Sequence, residues 1–187
     1  MGNILRARLR LTSKGRVMEN FRELETKLKE PFSSEDIEWR VQNSGNSNGK
    51  HWALVLAYVT NRAIMDRLDE VFGIEGWSNE YKEAPDGGIL CGITVHAREV
   101  PITKWDGADK TNIEATKGGL SNAMKRCAVQ WGIGRYLYNL EANIVTMSEL
   151  KPPVMKGYGM HYDKDSRKRL YWRHPELPEF AQPSSTK

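Results

Sequence analysis

The sequence predicts an α+β fold in which an antiparallel β-sheet is backed by helices. Three observations predict it. Apolar residues alternate strictly from Ile89 onward, a helical period of three and four runs from Ile113 to Trp131, and turn residues such as Pro85-Asp86-Gly87-Gly88 separate the segments.

The elements follow in order. Met18 to Glu30 reads as an amphipathic helix with Phe21, Leu24 and Leu28 on one face, stopped by Pro31. Asp36 to Gln42 reads as a strand with Ile37, Trp39 and Val41 on one face, and Asn43-Ser44-Gly45-Asn46-Ser47-Asn48-Gly49-Lys50 as a polar loop. His51 to Val59 is apolar on both faces, the pattern of a central buried strand. Thr60 is placed to cap a helix that carries Ile64, Leu68 and Val71 and ends at Phe72-Gly73. Trp77 to Glu83 is a strand, and Ile89 to Arg98 another, with Ile89, Cys91, Ile93, Val95 and Ala97 on one face. Pro101 marks the next segment, to about Asp109, as an edge or bulged strand. Thr111 and Glu114 form a capping box for the longest helix, whose apolar face is Ile113, Leu120, Met124, Cys127 and Trp131. After the first helix the order is β-β-α-β-β-β-α.

Composition divides the 187 residues into three parts. Residues 1–18 are a basic arm without periodicity, 19–150 carry the strong structural signals, and 151–187 are a basic, then Pro/Ser-rich tail whose last residues, 175–187, read as disordered. Met18-Glu19-Asn20-Phe21 opens the first periodic helix, so Met18 is expected to be the native start. Residues 1–17 are then an artefact of start assignment or a disordered extension. The net charge is +4, but Arg6, Arg8, Arg10, Lys14 and Arg16 lie in the arm. Taking those five from 28 basic residues leaves 23 against 24 acids. The folded part is not globally basic, so any nucleic-acid contact must come from a local stripe of charge.

Several function classes are set aside. No apolar run approaches the roughly 18 residues of a membrane helix, and the basic start lacks the apolar core and cleavage site of a secretory signal. Arg6 stands where a myristoylation motif wants Ser or Thr. A cytoplasmic setting, in a bacterium or a phage-infected cell, is expected. Cys91 and Cys127 read as small buried thiols, and His51, His96, His161 and His174 are not at metal-ligand spacing, so no metal is expected. Gly45-Asn46-Ser47-Asn48-Gly49-Lys50-His51 is one residue short of a phosphate loop, has His in place of the magnesium-binding hydroxyl, and leads into a strand. No nucleotide or other cofactor is expected. Asp106, Asp109 and Lys110 are the one group a magnesium-dependent nuclease could use, although acids beside Gly107 also serve as turn formers.

The informative segment is 114–138. Lys125 and Arg126 fall away from the apolar face of their helix, with Asn122 and Gln130 near them. Adjacent cations on a rigid helix suit a phosphate backbone, although such a pair read alone is usually a solvated face. Lys117-Gly118-Gly119-Leu120-Ser121-Asn122-Ala123-Met124-Lys125-Arg126 runs on to Trp131-Gly132-Ile133-Gly134-Arg135-Tyr136-Leu137-Tyr138. Upstream stand, in order, Asp36-Ile37-Glu38-Trp39-Arg40-Val41-Gln42, Val59-Thr60-Asn61-Arg62-Ala63, and Val71-Phe72-Gly73 leading to Gly76-Trp77. Together, across roughly 19–145, these resemble the Rad52 family of single-strand annealing proteins, closest to its phage and bacterial, Sak-like branch.

The resemblance implies an oligomeric ring with a basic outer groove that holds single-stranded DNA with its bases exposed. It assigns the inner groove to Arg40 on the first strand and to Lys125 and Arg126 on the long helix. Where many members carry a further cation one turn later, this sequence has Val129, and Arg135 is the residue that could compensate. A second, outer site used by some members would fall on Lys104, Lys110 and Lys117. Arg62 is a further candidate, equally explained as structural, and Arg40 is equally a strand-surface arginine paired with a neighbouring acid. Trp39, Trp52 and Trp131 belong to apolar faces, whereas Trp105 lies in a polar segment from which it could reach a base. Arg167-Lys168-Arg169, with Tyr171 and Trp172, is a candidate nucleic-acid contact or partner motif, although a solvated tail is the simpler expectation.

The expected activity is therefore ATP-independent annealing of complementary single strands in homologous recombination, by a homo-oligomer that is not an enzyme. Other recombination proteins could meet the C-terminal tail. The rival readings are the magnesium nuclease and a general single-strand coating module.

Overall fold

The computed structural model describes residues 22–96, 100–109 and 115–184, with backbone alone at 115–117. Among the described residues, three antiparallel sheets and three α-helices make an α+β protein, as the periodicities predict. The chain forms two compact units, one from the segments up to Glu30 and Ile64–Arg135, the other from Pro31–Ala63 and the chain from Tyr136 on. Among the described residues, no helix is long and apolar enough to cross a membrane.

In the first unit, helix α1 covers 22–29; its expected start at Met18 and the arm before it lie outside the described residues. Leu28 is buried as its spacing requires. Carbonyls at the end of α1 are met from α2 (Asn61–Phe72), where Arg67 Nη1 donates to Lys27 O at 2.6 Å and Glu30 O at 2.9 Å. Thr60 caps α2 as expected, its hydroxyl accepting from the Ala63 amide at 3.1 Å. Gly73, at φ 76°, ends the helix.

Strands β3 (Trp77–Glu83), β4 (Ile89–Val95) and β5 (Ile102–Ala108) form a sheet with β4 in the centre and β5 at the edge. The register runs without interruption, Tyr81 facing Cys91 and Cys91 facing Asp106. Cys91, Ile93 and Val95 are buried on one face, against helix α3 (Ala115–Gln130). On the opposite face Trp105 lies across Gly92, where a Cβ would stand 2.6 Å from the indole. The close approach needs glycine there.

In the second unit, β1 (Ile37–Ser47), β2 (Lys50–Val59) and β6 (Asn143–Met147) form a sheet with β2 central. Ile37, Trp39 and Val41 turn inward and Glu38, Arg40 and Gln42 outward, until a bulge between Val41 and Asn43 resets the register. The expected polar loop at 43–50 is instead strand on both sides of a two-residue turn. Asn48 and Gly49 have φ of 52° and 78°, both positive as a type I′ turn demands. Asn-Gly is the strongest short hairpin signal, and the polarity of the flanking residues hid it.

The C-terminal segment departs most from expectation. In place of a solvated tail, β7 (Tyr158–Asp163) and β8 (Lys168–Arg173) form a hairpin. Its Leu170 and Trp172 join Ala53, Val55 and Met147 in one core, with Trp39, Val41 and Val145 packed against it. Leu177 and Ala181 are buried too, so the Pro-rich stretch through residue 184 lies on the fold and not free of it. Apolar residues that alternate with lysines and arginines over only six positions read as a charged run unless the partner surface is known.

Candidate nucleic-acid interface

Helix α3 is held to its sheet by a seam of small and flexible side chains. Ala123, Met124, Cys127 and Ala128 are all buried, and Leu120 and Trp131 extend the seam half-buried at either end. Gly119 lets the helix sit close to β4, since a Cβ there would come within 2.6 Å of Ile89 Cδ1. The Trp131 indole donates to Ile93 O at 3.2 Å, which fixes the end of the helix. Ile113 and the Thr111–Glu114 capping box lie outside the described residues.

Neither Lys125 nor Arg126 is among the buried residues of the seam. Lys125 is half-buried and Arg126 is exposed. Arg126 Nε donates to Asp106 Oδ1 at 3.0 Å, across from the helix to β5. Partial burial pushes the Asp106 carboxyl up. The Gly107 amide, Arg126 and Gln130 together outweigh that and hold it below the usual aspartate value. Gln130, expected beside the cations, instead turns inward and also donates to Trp105 O. Asp106 is thus committed to an arginine, an arrangement that neutralises it; Asp109 is exposed, and Lys110 lies outside the described residues.

Two further candidates meet at the C-terminus of α3. Lys104 Nζ donates to Gln130 O at 2.8 Å and stands 4.5 Å from the Trp131 ring centroid. Arg135 donates to Val129 O and Gln130 O, both at 2.8 Å. Cations there add to the bonding of the last helical carbonyls and complement the negative end of the helix dipole. Burial, then the charge of Arg135, lowers the Lys104 pKa. The sequence offered both as DNA contacts, and the structure gives each a helix-capping task.

Arg40 and Arg62 belong to the second unit. Arg40 is exposed on β1, where it pairs with Glu38 at 3.1 Å and lies 6.0 Å from the Tyr58 ring centroid. Arg62 is exposed in the first turn of α2. The side chain of Lys117 lies outside the described residues. Trp105, half-buried on the sheet face away from α3, has Lys82 Nζ 4.3 Å from its ring centroid.

The cysteines, which the sequence reading treats separately, meet between β4 and α3. Their hydrogen bond, with burial second, pushes the Cys91 thiol well above its ordinary value. Cys127 Sγ lies 3.0 Å from Lys104 O. Both are buried, as expected, and only the register of β4 against the helix reveals that they are neighbours.

Comparison with known proteins converges on the same elements. Residues 20–154 match the Rad52/22 family double-strand break repair protein. The single-stranded DNA-binding protein DdrA of Deinococcus radiodurans is 32% identical over 163 residues, which cover 86% of this chain and 68% of that protein. DdrA of Deinococcus deserti is 30% identical over 164 residues, covering 86% and 71%. The matched span takes in β1 through β6, with α3 and its Lys125-Arg126 pair inside it, and the chain belongs to the Rad52/22 family of double-strand break repair proteins.

Proposed function

We propose that this protein binds single-stranded DNA without ATP and promotes its annealing to a complementary strand during recombination and double-strand break repair. Family membership and the DdrA relatives support the ligand and the process. The observation that carries the site is the α3 seam: Ala123, Met124, Cys127 and Ala128 are buried, and the Lys125-Arg126 pair stands beside them with Arg126 exposed. The Arg126–Asp106 pair is partly exposed, with side-chain exposures of 55% and 25%, so the guanidinium remains open to solvent. Arg40, in an exposed pair with Glu38, is assigned the same task on β1.

The protein makes and breaks no bond in this reading; it preorganises a strand. Cations neutralise the backbone, strand–strand repulsion falls, and exposed bases test for complementarity. The one stretch spelled like a phosphate loop, Gly45–His51, is a hairpin turn between strands, which lacks the helix N-terminus that such a loop requires. One basic helix face spans few nucleotides, so a multimeric scaffold, a ring, completes the proposal.

The test is a salt titration of binding to labelled oligonucleotides with Lys125→Ala/Arg126→Ala, alongside an annealing assay. The double variant keeps its circular dichroism and assembly size, binds more weakly whatever the base sequence, and loses about 0.7 in log–log salt slope per contact removed. An unchanged slope in a folded variant overturns the α3 assignment. Duplex formation no faster with the wild-type protein than without it reduces the protein to a coating module.

A further inference from the structure

The β7–β8 hairpin has a second face that the core does not use. The register pairs Tyr158 with Arg173, Met160 with Tyr171, and Tyr162 with Arg169. Paired residues point to the same side, so these six share one face, and Gly159, His161, Leu170 and Trp172 share the other. The inner face is locked down: Leu170 and Trp172 are buried, and the Trp172 ring covers Gly159 so closely that a Cβ there would come within 2.3 Å of it. The outer face is open, with Tyr158, Met160 and Tyr162 exposed by 37%, 52% and 50%.

That outer face carries three tyrosines, a methionine and two arginines, with no acid among the six. Among the described residues Arg173 makes a long 3.8 Å pair with Glu176, both ends largely solvated, which water and salt readily break. Side chains two apart on a strand stand about 6.6 Å from each other, close to twice the ~3.4 Å rise of stacked bases. A base can therefore enter between alternate side chains of β7. Aromatic rings on a rigid strand, with guanidinium groups beside them, form a stacking platform for unpaired bases.

We propose that the outer face of the β7–β8 hairpin is a second contact for single-stranded DNA, one that holds bases by stacking where α3 holds phosphates. The proposal rests on the reading of the protein as a single-strand binder. Its chemistry differs from that of α3: stacking tolerates any base but needs one, whereas a phosphate contact needs none. A twofold contact with a second copy fits this face less well, because it would bring the arginines of both copies together.

The experiment compares wild type, Tyr158→Ala/Tyr162→Ala and Tyr158→Phe/Tyr162→Phe on a labelled oligothymidylate and on an abasic oligonucleotide of equal length. The Ala variant should bind oligothymidylate roughly five- to a hundredfold more weakly with an unchanged salt slope. Its abasic binding should match wild type, and the Phe variant should keep the wild-type affinity for both. Equal oligothymidylate affinity in wild type and the Ala variant overturns the proposal, as does an equal loss on the abasic strand. A shift in assembly size caused by the Ala variant also overturns it, and assigns the face to contacts between copies. If wild type binds oligothymidylate and Lys125→Ala/Arg126→Ala weakens it while the tyrosine variant does not, only the hairpin site falls. If wild type binds no oligonucleotide, both readings fall.

Discussion

The two three-stranded sheets are built alike and covered differently. The β3-β4-β5 sheet is covered by α3, which spreads its burial over Ala123, Met124, Cys127 and Ala128. The β1-β2-β6 sheet is covered by the β7–β8 hairpin, which concentrates the same task in Leu170 and Trp172. A helix brings four or five modest side chains to a sheet, while a short strand brings two and must make them large. The difference sets where each unit is vulnerable and how visible its cover is in the sequence.

The largest expected effect lies on the concentrated side. Trp172→Ala should cost about 3–5 kcal/mol in urea-induced unfolding, since it empties the centre of a core that has few other residues to close the gap. Trp172→Phe should cost much less, because it also removes a buried indole N–H that has no hydrogen-bond partner among the described residues. A loss below about 1 kcal/mol for the Ala variant would show that the hairpin is no true cover.

The distributed side should be more forgiving. Met124→Ala is expected to cost about 2 kcal/mol, the low end for a buried methionine, because small neighbours along the seam can settle inward. Equal or greater loss than at Trp172, measured in the same urea series, would remove the distinction between the two covers.

The smallest effect concerns the tie between α3 and β5. Asp106 titrates below its ordinary 3.8 in the folded protein, so its ionised form stabilises the fold above that pH and ceases to as pH falls through the lowered value. Thermal unfolding of wild type and Asp106→Asn should therefore differ near neutral pH, by less than at either core position, and converge as the medium is acidified below about pH 4. A gap that stays constant across that range would mean the carboxylate charge contributes nothing to holding the helix.

Much of this was readable beforehand, and unevenly. β3, β4, β5 and α2 were placed nearly to their ends, because strict alternation and a Thr60 cap are local signals. β6, β7 and β8 were missed. Leu170 and Trp172 sit among Lys168, Arg169, Tyr171 and Arg173, so the outward residues dominate any window of composition. The β1–β2 turn was spelled out as Asn48-Gly49 but lay inside a polar run that read as a loop.

The sequence by itself determined the fold class, the apolar seam of α3, and the family motifs that place Lys125 and Arg126 away from that seam. Tertiary structure alone decided three partners: Asp106 for Arg126, the Gln130 carbonyl for Lys104, and Cys91 for Cys127, whereas the Glu38 partner of Arg40 lies two residues away on the same strand. The physical reason is the range of each signal. Apolar periodicity reports which face of one element turns from water, and it repeats within a few residues. The partners of Arg126, Lys104 and Cys127 lie on another element, some tens of residues away in the chain, and no spacing along a single strand or helix encodes them.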